Sequence, residues 1–136
     1  MAISTMKAEL PCEVEKVWEI VTSLDKYSWR SDLGKIVVTI PGKEFEEHTK
    51  DGYVTTFKIT TFEKCKRYEL DMENENMKGH STGVFSAQKG CTIIEFTEDV
   101  TAKKLIMKPF VGGYLKKQQA MYIKDLRNAL EKGTVT

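Results

Sequence analysis

Residues 109–132, PFVGGYLKKQQAMYIKDLRNALEK, repeat apolar side chains at intervals of three and four residues, the spacing of one helix face. The stretch predicts a helix of roughly 24 residues and ~36 Å. Pro109 suits its first turn and Gly133 suits its C-terminal cap. Gln118 and Gln119 fall within the apolar arc, where buried amides need hydrogen-bond partners. The apolar face itself carries Val111, Tyr114, Leu115, Met121, Tyr122, Ile123, Leu126, Ala129 and Leu130.

The segments before this helix have the pattern of strands, with one helical interruption near the N-terminus. Residues 2–10 predict a first strand, ended by Pro11. From residue 13 to residue 24 the apolar side chains return to helical spacing, and residues 25–32 predict a short second helix or a turn. Six strand-like runs separated by tight turns then follow. The order predicts an antiparallel sheet packed against the long C-terminal helix.

The loop Lys50-Asp51-Gly52 fixes the register of one hairpin. A three-residue loop with Gly52 in the left-handed region sets Phe45 opposite Phe57. A two-residue loop would set Phe45 opposite Lys58, and such a slip moves every side chain to the other face of the sheet. The apolar match favours the three-residue loop. Its predicted inner face carries Phe45, Tyr53, Phe57 and Ile59.

A last hairpin turns at Lys89-Gly90. A two-residue loop there sets Phe85 opposite Ile94 and Gly83 opposite Phe96. The inner side chains Ser81, Gly83 and Ala87 are then all small, which predicts either close approach by the long helix or unfilled space. From the two registers and the helix we expect burial of Phe45, Phe57, Ile59, Leu70, Phe96, Leu115, Tyr122 and Leu126.

The bulk composition argues against several classes of function. The chain has 136 residues, which suits a single domain over residues 1–136 with one core. The formal net charge is +1 and Lys and Arg are dispersed, so no nucleic-acid partner is predicted. No stretch approaches the ~20 apolar residues of a membrane span, so stable membrane insertion is not predicted either.

The cysteines are few and far apart. Cys12, Cys65 and Cys91 form no Cys-x-x-Cys pair, and His48 and His80 add no zinc spacing. An odd, sparse set is typical of reduced thiols, and the N-terminus lacks the pattern of a signal peptide. We therefore predict free thiols, a cytoplasmic protein, and no metal or cofactor.

Three short segments carry a family resemblance. Val17-Trp18, followed by residues 24–29 (LDKYSW), is similar to the opening signature of the polyketide cyclase/dehydratase and lipid-transport family, part of the START and birch-pollen-allergen-like (SRPBCC) superfamily. Residues 61–67 (TFEKCKR) and 90–96 (GCTIIEF) resemble two later segments of that family. Prolines that are common in the family are absent from residues 61–67, and Phe96 stands where the family pattern has a tryptophan.

The resemblance implies an α+β helix-grip fold. Such a fold wraps a seven-stranded antiparallel sheet around a long C-terminal helix, with two short helices after strand 1. It also implies a hydrophobic pocket between the sheet and the long helix.

The predicted ligand-binding residues are those expected to face this pocket. Trp29 is interpreted either as a contact at the pocket mouth or as an anchor for the short helix. Gln118 either lines the pocket or bonds to neighbouring groups, and the second interpretation is favoured for Gln119. The full set is Trp29, Tyr53, Phe57, Ile59, Tyr68, Leu70, Gly83, Phe85, Phe96, Tyr114, Gln118 and Tyr122.

The sequence contains no convincing catalytic constellation, since it lacks a phosphate-binding loop, a nucleophile elbow and an acid pair at useful spacing. Glu47 is a weak candidate because it faces inward, where an apolar pocket would raise its pKa for acid–base work. The alternative is a carboxylate that reaches solvent at the end of the sheet. His48 and His80 face outward in these registers and are interpreted as surface residues.

Three functions follow from this pattern. The favoured one is non-enzymatic binding of a hydrophobic small molecule, such as a lipid, isoprenoid or polyketide-like compound, with one or two polar contacts for orientation. The second is a cyclase or dehydratase that uses general acid–base catalysis in the same pocket, with Glu47 and a tyrosine hydroxyl. The third is an interaction module whose pocket is filled by side chains.

Overall fold

A computed structural model describes residues 2–132 of the chain. The elements are β1 (Ala2–Leu10), α1 (Val14–Thr22), β2 (Leu33–Ile40), β3 (Glu44–Thr49), β4 (Val54–Glu63), β5 (Arg67–Glu73), β6 (Met77–Gln88), β7 (Cys91–Ala102) and α2 (Val111–Lys132), with a 3-10 turn over Leu105–Phe110. The strands form one sheet in the order β1-β7-β6-β5-β4-β3-β2, and every neighbouring pair is antiparallel. The predicted helix-grip architecture is confirmed.

Both predicted hairpin registers are confirmed. Phe45 pairs with Phe57, and Gly52 has the left-handed φ of 94° that the three-residue loop requires. Gly83 pairs with Phe96 across the last hairpin, where Gly90 has a φ of 76°. Because these registers fix which side chains face inward, they also place the polar residues of the sheet interior.

The segment between α1 and β2 takes the turn alternative predicted for residues 25–32 and does not form the second short helix that the family resemblance implies. Residues 25–32 form turns, because local side chains compete for the backbone: Ser23 Oγ accepts a 3.1 Å hydrogen bond from the Lys26 amide. The turns are then fixed to α2, since the Ser31 amide and hydroxyl both donate to Asp125 Oδ2 at 2.8 Å. A tertiary contact therefore sets the path of this segment.

The start of α2 also differs in detail from the prediction. Pro109 lies in the 3-10 turn that precedes α2, and α2 itself begins at Val111. The predicted cap Gly133 lies outside the described residues.

The core is closed at one end of the sheet and open at the other. At the closed end, Leu10 of β1 packs with Val17 and Trp18 of α1 and with Leu126 of α2 in one buried cluster. Of the residues expected to be buried, Phe45, Leu115 and Leu126 are 2%, 5% and 0% exposed. The other members of that set, namely Phe57, Ile59, Leu70, Phe96 and Tyr122, are half-buried. Most of this second group faces space that no protein atom fills.

Cys12, Cys65 and Cys91 are free and half-buried, as the cysteine pattern predicts. Within residues 2–132 there is no helix with the length and apolar character needed to cross a membrane. The same residues contain no group of His, Cys, Asp or Glu side chains that could hold a metal ion.

Candidate ligand-binding site

A cavity of about 230 Å³ lies between the inner face of the sheet and α2. Ser81 and Gly83, the small residues of β6, are part of its wall, so the space predicted from their size is present. Most of the remaining wall is apolar or aromatic, and it includes Val21, Leu24, Ile36, Phe57, Leu70, Met72, Phe96, Val100, Leu115 and Met121.

Nine of the residues predicted to bind ligand line this cavity, and three lie elsewhere. The nine are Trp29, Phe57, Tyr68, Leu70, Gly83, Phe96, Tyr114, Gln118 and Tyr122. Tyr53 sits beyond the hairpin loop and is 46% exposed. Phe85 is buried in the closed core, with its ring 4.9 Å from that of Trp18, and Ile59 packs against the same cluster. These last two face inward as expected, but at the closed end of the sheet.

Three aromatic rings form a continuous part of the cavity wall. Trp29 meets Tyr122 edge-on at 5.3 Å, and Tyr122 meets Phe96 edge-on at 5.2 Å. Trp29 thus contacts the cavity and the long helix together. The second short helix, for which Trp29 was the alternative anchor, is not formed, because residues 25–32 form turns.

The inward carboxylate Glu47 is paired with a cation that the sequence analysis missed. Arg30 Nη1 and Nη2 donate to the two Glu47 carboxylate oxygens at 3.3 Å each, and Arg30 Nε lies 3.4 Å from Asp32 Oδ1. Burial alone would lower the pKa of Arg30, but the two carboxylates outweigh it and raise that pKa above its ordinary value. The Arg30 guanidinium also lies 4.9 Å from the centre of the Tyr122 ring. Glu47 is therefore not an isolated base.

Glu98 is the carboxyl group in the cavity that has no cationic partner among the described residues. Ser81 Oγ donates to Glu98 Oε1 at 3.1 Å, whereas Oε2 is shielded from solvent and has no hydrogen-bond partner in the described chain. Burial raises the pKa of Glu98 to about 7, and the charge of Glu47 adds to the shift while Ser81 and His80 oppose it. Glu98 can thus exchange a proton near neutral pH.

The sequence contained a signal for Glu98. Alternate residues of β7 face inward, and Phe96, Glu98 and Val100 all line the cavity. A glutamate between two inward apolar residues of a strand breaks the period of two, and this mismatch identifies a buried carboxyl group.

The outward histidines lie on the far face of the sheet. His80 Nδ1 lies 2.7 Å from Asp71 Oδ1, and its Nε2 lies 2.8 Å from Glu69 Oε1. The hydrogen bonds to these two carboxylates raise the pKa of His80. His48 Nε2 is 3.1 Å from Glu46 Oε1. Neither imidazole lines the cavity.

The two glutamines of α2 have different surroundings. Gln119 is buried: its Nε2 donates to the Ser4 carbonyl at 2.9 Å, and its Oε1 accepts from Ser4 Oγ at 2.8 Å. It therefore joins α2 to β1 through neighbouring groups, as interpreted from sequence. Gln118 is half-buried at the cavity and makes no side-chain hydrogen bond within the described part of the chain.

Gln119→Ala is expected to lower the free energy of unfolding by about 1–3 kcal/mol, because it removes the hydrogen bonds that Gln119 makes with the buried Ser4 hydroxyl and with the Ser4 carbonyl. Urea unfolding measures the loss. The matched control is Gln118→Ala, which removes no hydrogen bond and should stay within about 0.5 kcal/mol of the unmodified protein. Equal losses in the two variants would contradict the assigned bridge.

Glu98→Gln is expected to flatten the pH dependence of stability between about pH 4.5 and pH 7. The folded state keeps the Glu98 proton up to its raised pKa, whereas the unfolded chain releases it near the ordinary value. The folded state binds more protons in this window, so the unmodified protein loses stability as the pH rises, by roughly 3 kcal/mol in all. Urea unfolding at a series of pH values tests this against Glu95→Gln, an exposed glutamate of the same strand. Parallel curves for all three proteins would refute the assignment.

Comparison with known proteins places this geometry in a wider group. The family model described as polyketide cyclase / dehydrase and lipid transport matches residues 1–131. A START superfamily protein from Mycobacterium smegmatis superposes with a TM-score of 0.89 at 12% identity, covering 98% of this chain and 100% of that one. The Zhui aromatase/cyclase from a Streptomyces species superposes with a TM-score of 0.85 at 8% identity, covering 96% and 93%. A conserved protein from Geobacillus kaustophilus gives 0.81 at 15% identity, covering 96% and 95%. No curated protein sequence matches the chain. At identities this low, the superpositions show a shared fold alone.

Proposed function

Because this chain belongs to the polyketide cyclase/dehydrase and lipid transport family, we propose that it binds a hydrophobic small molecule between the sheet and α2. A lipid, an isoprenoid or a polyketide-like compound has the required character. The observation that carries the proposal is the cavity of about 230 Å³ with its mainly apolar and aromatic wall.

The energetic support comes from the half-buried side chains of the wall. Phe57, Phe96 and Tyr122 keep part of their surface exposed toward the cavity, and a ligand would cover that surface. Each ~100 Å² of apolar surface removed from water contributes roughly 2.5 kcal/mol before ordering costs. The same open space counts against an interaction module whose pocket is filled by side chains.

Native mass spectrometry of freshly purified protein, combined with solvent extraction, tests this function. We expect a co-purified apolar compound, or uptake of a neutral apolar fluorophore by the extracted protein. A protein that carries no compound and takes up no fluorophore would contradict the proposal.

A second candidate function is general acid–base catalysis in the same cavity, and Glu98 favours it. A carboxyl group whose pKa is about 7 and which lacks a cation is suited to proton transfer at neutral pH. In a dehydration, Glu98 would take the proton next to a carbonyl as a base and then, as an acid, give it to the departing β-hydroxyl, which leaves as water. Tyr68 and Tyr122 also line the cavity, and burial raises the pKa of both phenols, so their hydroxyls would act as neutral hydrogen-bond donors.

Incubation with an apolar β-hydroxy ketone, followed by mass spectrometry, separates the two functions. An enzyme converts the compound to the enone with loss of water, and Glu98→Gln abolishes this conversion. A pure binding protein releases the compound unchanged.

A further inference from the structure

The polar part of the cavity wall is acidic. Among the described residues that line the cavity, Arg30 is the one with a cationic side chain, and it stands against the carboxyl groups of Asp32, Glu47 and Glu98. With all four ionised, the wall carries a surplus of negative charge. A ligand that enters this cavity therefore meets a field that favours positive charge and hydrogen-bond donors.

The positive charge of Arg30 is already committed to protein groups. Both terminal nitrogens of the guanidinium donate to Glu47, and Nε lies beside Asp32. The ring of Tyr122 faces the guanidinium at 4.9 Å. The Nη1/Nη2 edge of the guanidinium is thus taken by the bidentate pair with Glu47, and its Nε faces Asp32, so a carboxylate on a ligand would have to compete with both acidic side chains for this one cation.

Glu98 offers the opposite: a free acceptor. Its Oε1 is held by Ser81, which orients the carboxyl group, and its Oε2 is shielded from solvent without a partner in the described chain. Phe96 and Val100, its neighbours on the inner face of β7, supply apolar surface on both sides. Buried acceptors of this kind are normally satisfied, and because Glu98 lines the cavity, a ligand there can supply the partner once the wall around Oε2 yields to it.

Building on the proposed binding function, we propose that the ligand carries a hydrogen-bond-donating head group, a hydroxyl or an ammonium, which bonds to Glu98 Oε2, and that the cavity discriminates against carboxylates. The apolar body of the ligand then lies along Phe96, Phe57 and Leu70. A fatty acid, by contrast, brings a second negative charge beside Glu98 and finds no free cation.

The groups that act on Glu98 come from several elements. Glu47 of β3 and Tyr122 of α2 face it across the cavity, and His80 of β6 acts through the sheet. The charge of Glu47 disfavours a negative charge on Glu98, whereas a protonated His80 favours it, and Tyr122 stays a neutral phenol because burial raises its pKa. An ammonium ligand also favours the ionised form, so its binding strengthens as the pH rises through about 7. A neutral alcohol lacks this charge dependence.

A matched set of eight-carbon probes tests the inference: 1-octanol, octylamine and octanoate, titrated calorimetrically into the extracted protein at about pH 8, where the amine is protonated and the acid ionised. Octanol and octylamine are expected to bind at least about 10-fold more tightly than octanoate. Glu98→Gln should reduce the octylamine preference over octanoate about 10-fold, whereas Glu95→Gln, on the exposed side of the same strand, should leave it unchanged.

The outcomes separate the inference from the function on which it rests. If octanoate binds as tightly as octanol, or if Glu98→Gln keeps the full preference, the head-group inference is overturned while hydrophobic binding stands. If none of the three probes binds, the binding function and the inference fail together. Thermal unfolding of each variant at the same pH verifies that the compared proteins are folded.

Discussion

Arg30→Met is expected to lower the free energy of unfolding by about 3–5 kcal/mol, because it leaves the Glu47 carboxylate in the interior without its cation. The Arg30 and Glu47 side chains are 14% and 19% exposed, so water replaces little of the lost interaction. Methionine keeps much of the length of arginine and removes the charge, which limits the contribution of a packing defect. Urea unfolding at neutral pH measures the loss.

The double variant Arg30→Met with Glu47→Leu separates the unpaired charge from the lost packing. Replacing both members of a buried ion pair with apolar side chains of similar volume is often neutral. We expect the double variant to recover most of the stability that the single variant loses. If the free energy of unfolding of Arg30→Met lay within about 0.5 kcal/mol of that of the unmodified protein, solvent would be screening the Arg30–Glu47 pair as it screens surface ion pairs.

The sheet was predictable because its registers depend on local chemistry. Gly52 and Gly90 mark loops of defined length, and loop length sets which residues face each other. Phe45 opposite Phe57 then needed no knowledge of the rest of the chain. The long helix was predictable for a similar reason, since its apolar face repeats over many turns.

The polar contents of the cavity were harder to predict because they depend on distant contacts. Arg30 bonds to Glu47, and its neighbour Ser31 is held by Asp125, a residue 94 positions away in the sequence. No local pattern indicates that the turn after α1 passes over the mouth of the sheet. Glu98 differs, since the alternation along β7 places it inward without any tertiary information.

The half-buried side chains show a second limit of sequence patterns. An inward position is readable from the period of two, but the pattern is the same whether the facing space holds another side chain or nothing. Phe57 and Phe96 face inward as predicted, and both border the cavity. Phe85 also faces inward, yet Trp18 fills the space above it. The size of the inner residues, small at Ser81 and Gly83, was the better guide to empty volume.

Gly83→Leu is expected to weaken binding of a neutral apolar fluorophore at least about 10-fold, with a loss of stability below the ~1–3 kcal/mol of an overfilled core. A Cβ at this position would lie 3.0 Å from Phe96 Cε1, so the Phe96 ring must move. The ring borders the cavity and can move into it, and the leucine side chain occupies further ligand volume. Thermal unfolding and fluorophore titration measure the two effects on the same samples.

Two alanine variants serve as controls for the Gly83→Leu result, one expected to be tolerated and one expected to be destabilising. Gly83→Ala adds only the Cβ. Because Gly83 is outside the left-handed region, the substitution introduces no backbone strain. The alanine variant should keep most of the free energy of unfolding and most of the affinity for the fluorophore. Gly79→Ala is the opposite case, because its Cβ would meet the backbone at Asp99 and lie 2.9 Å from Val100 Cα, which cannot yield as a side chain can. Gly79→Ala should therefore lower the thermal stability of the fold more than Gly83→Ala does. If Gly83→Leu lost stability as Gly79→Ala does while Gly83→Ala was tolerated, the space beside Gly83 would be filled by protein, and the proposed ligand would have no room there.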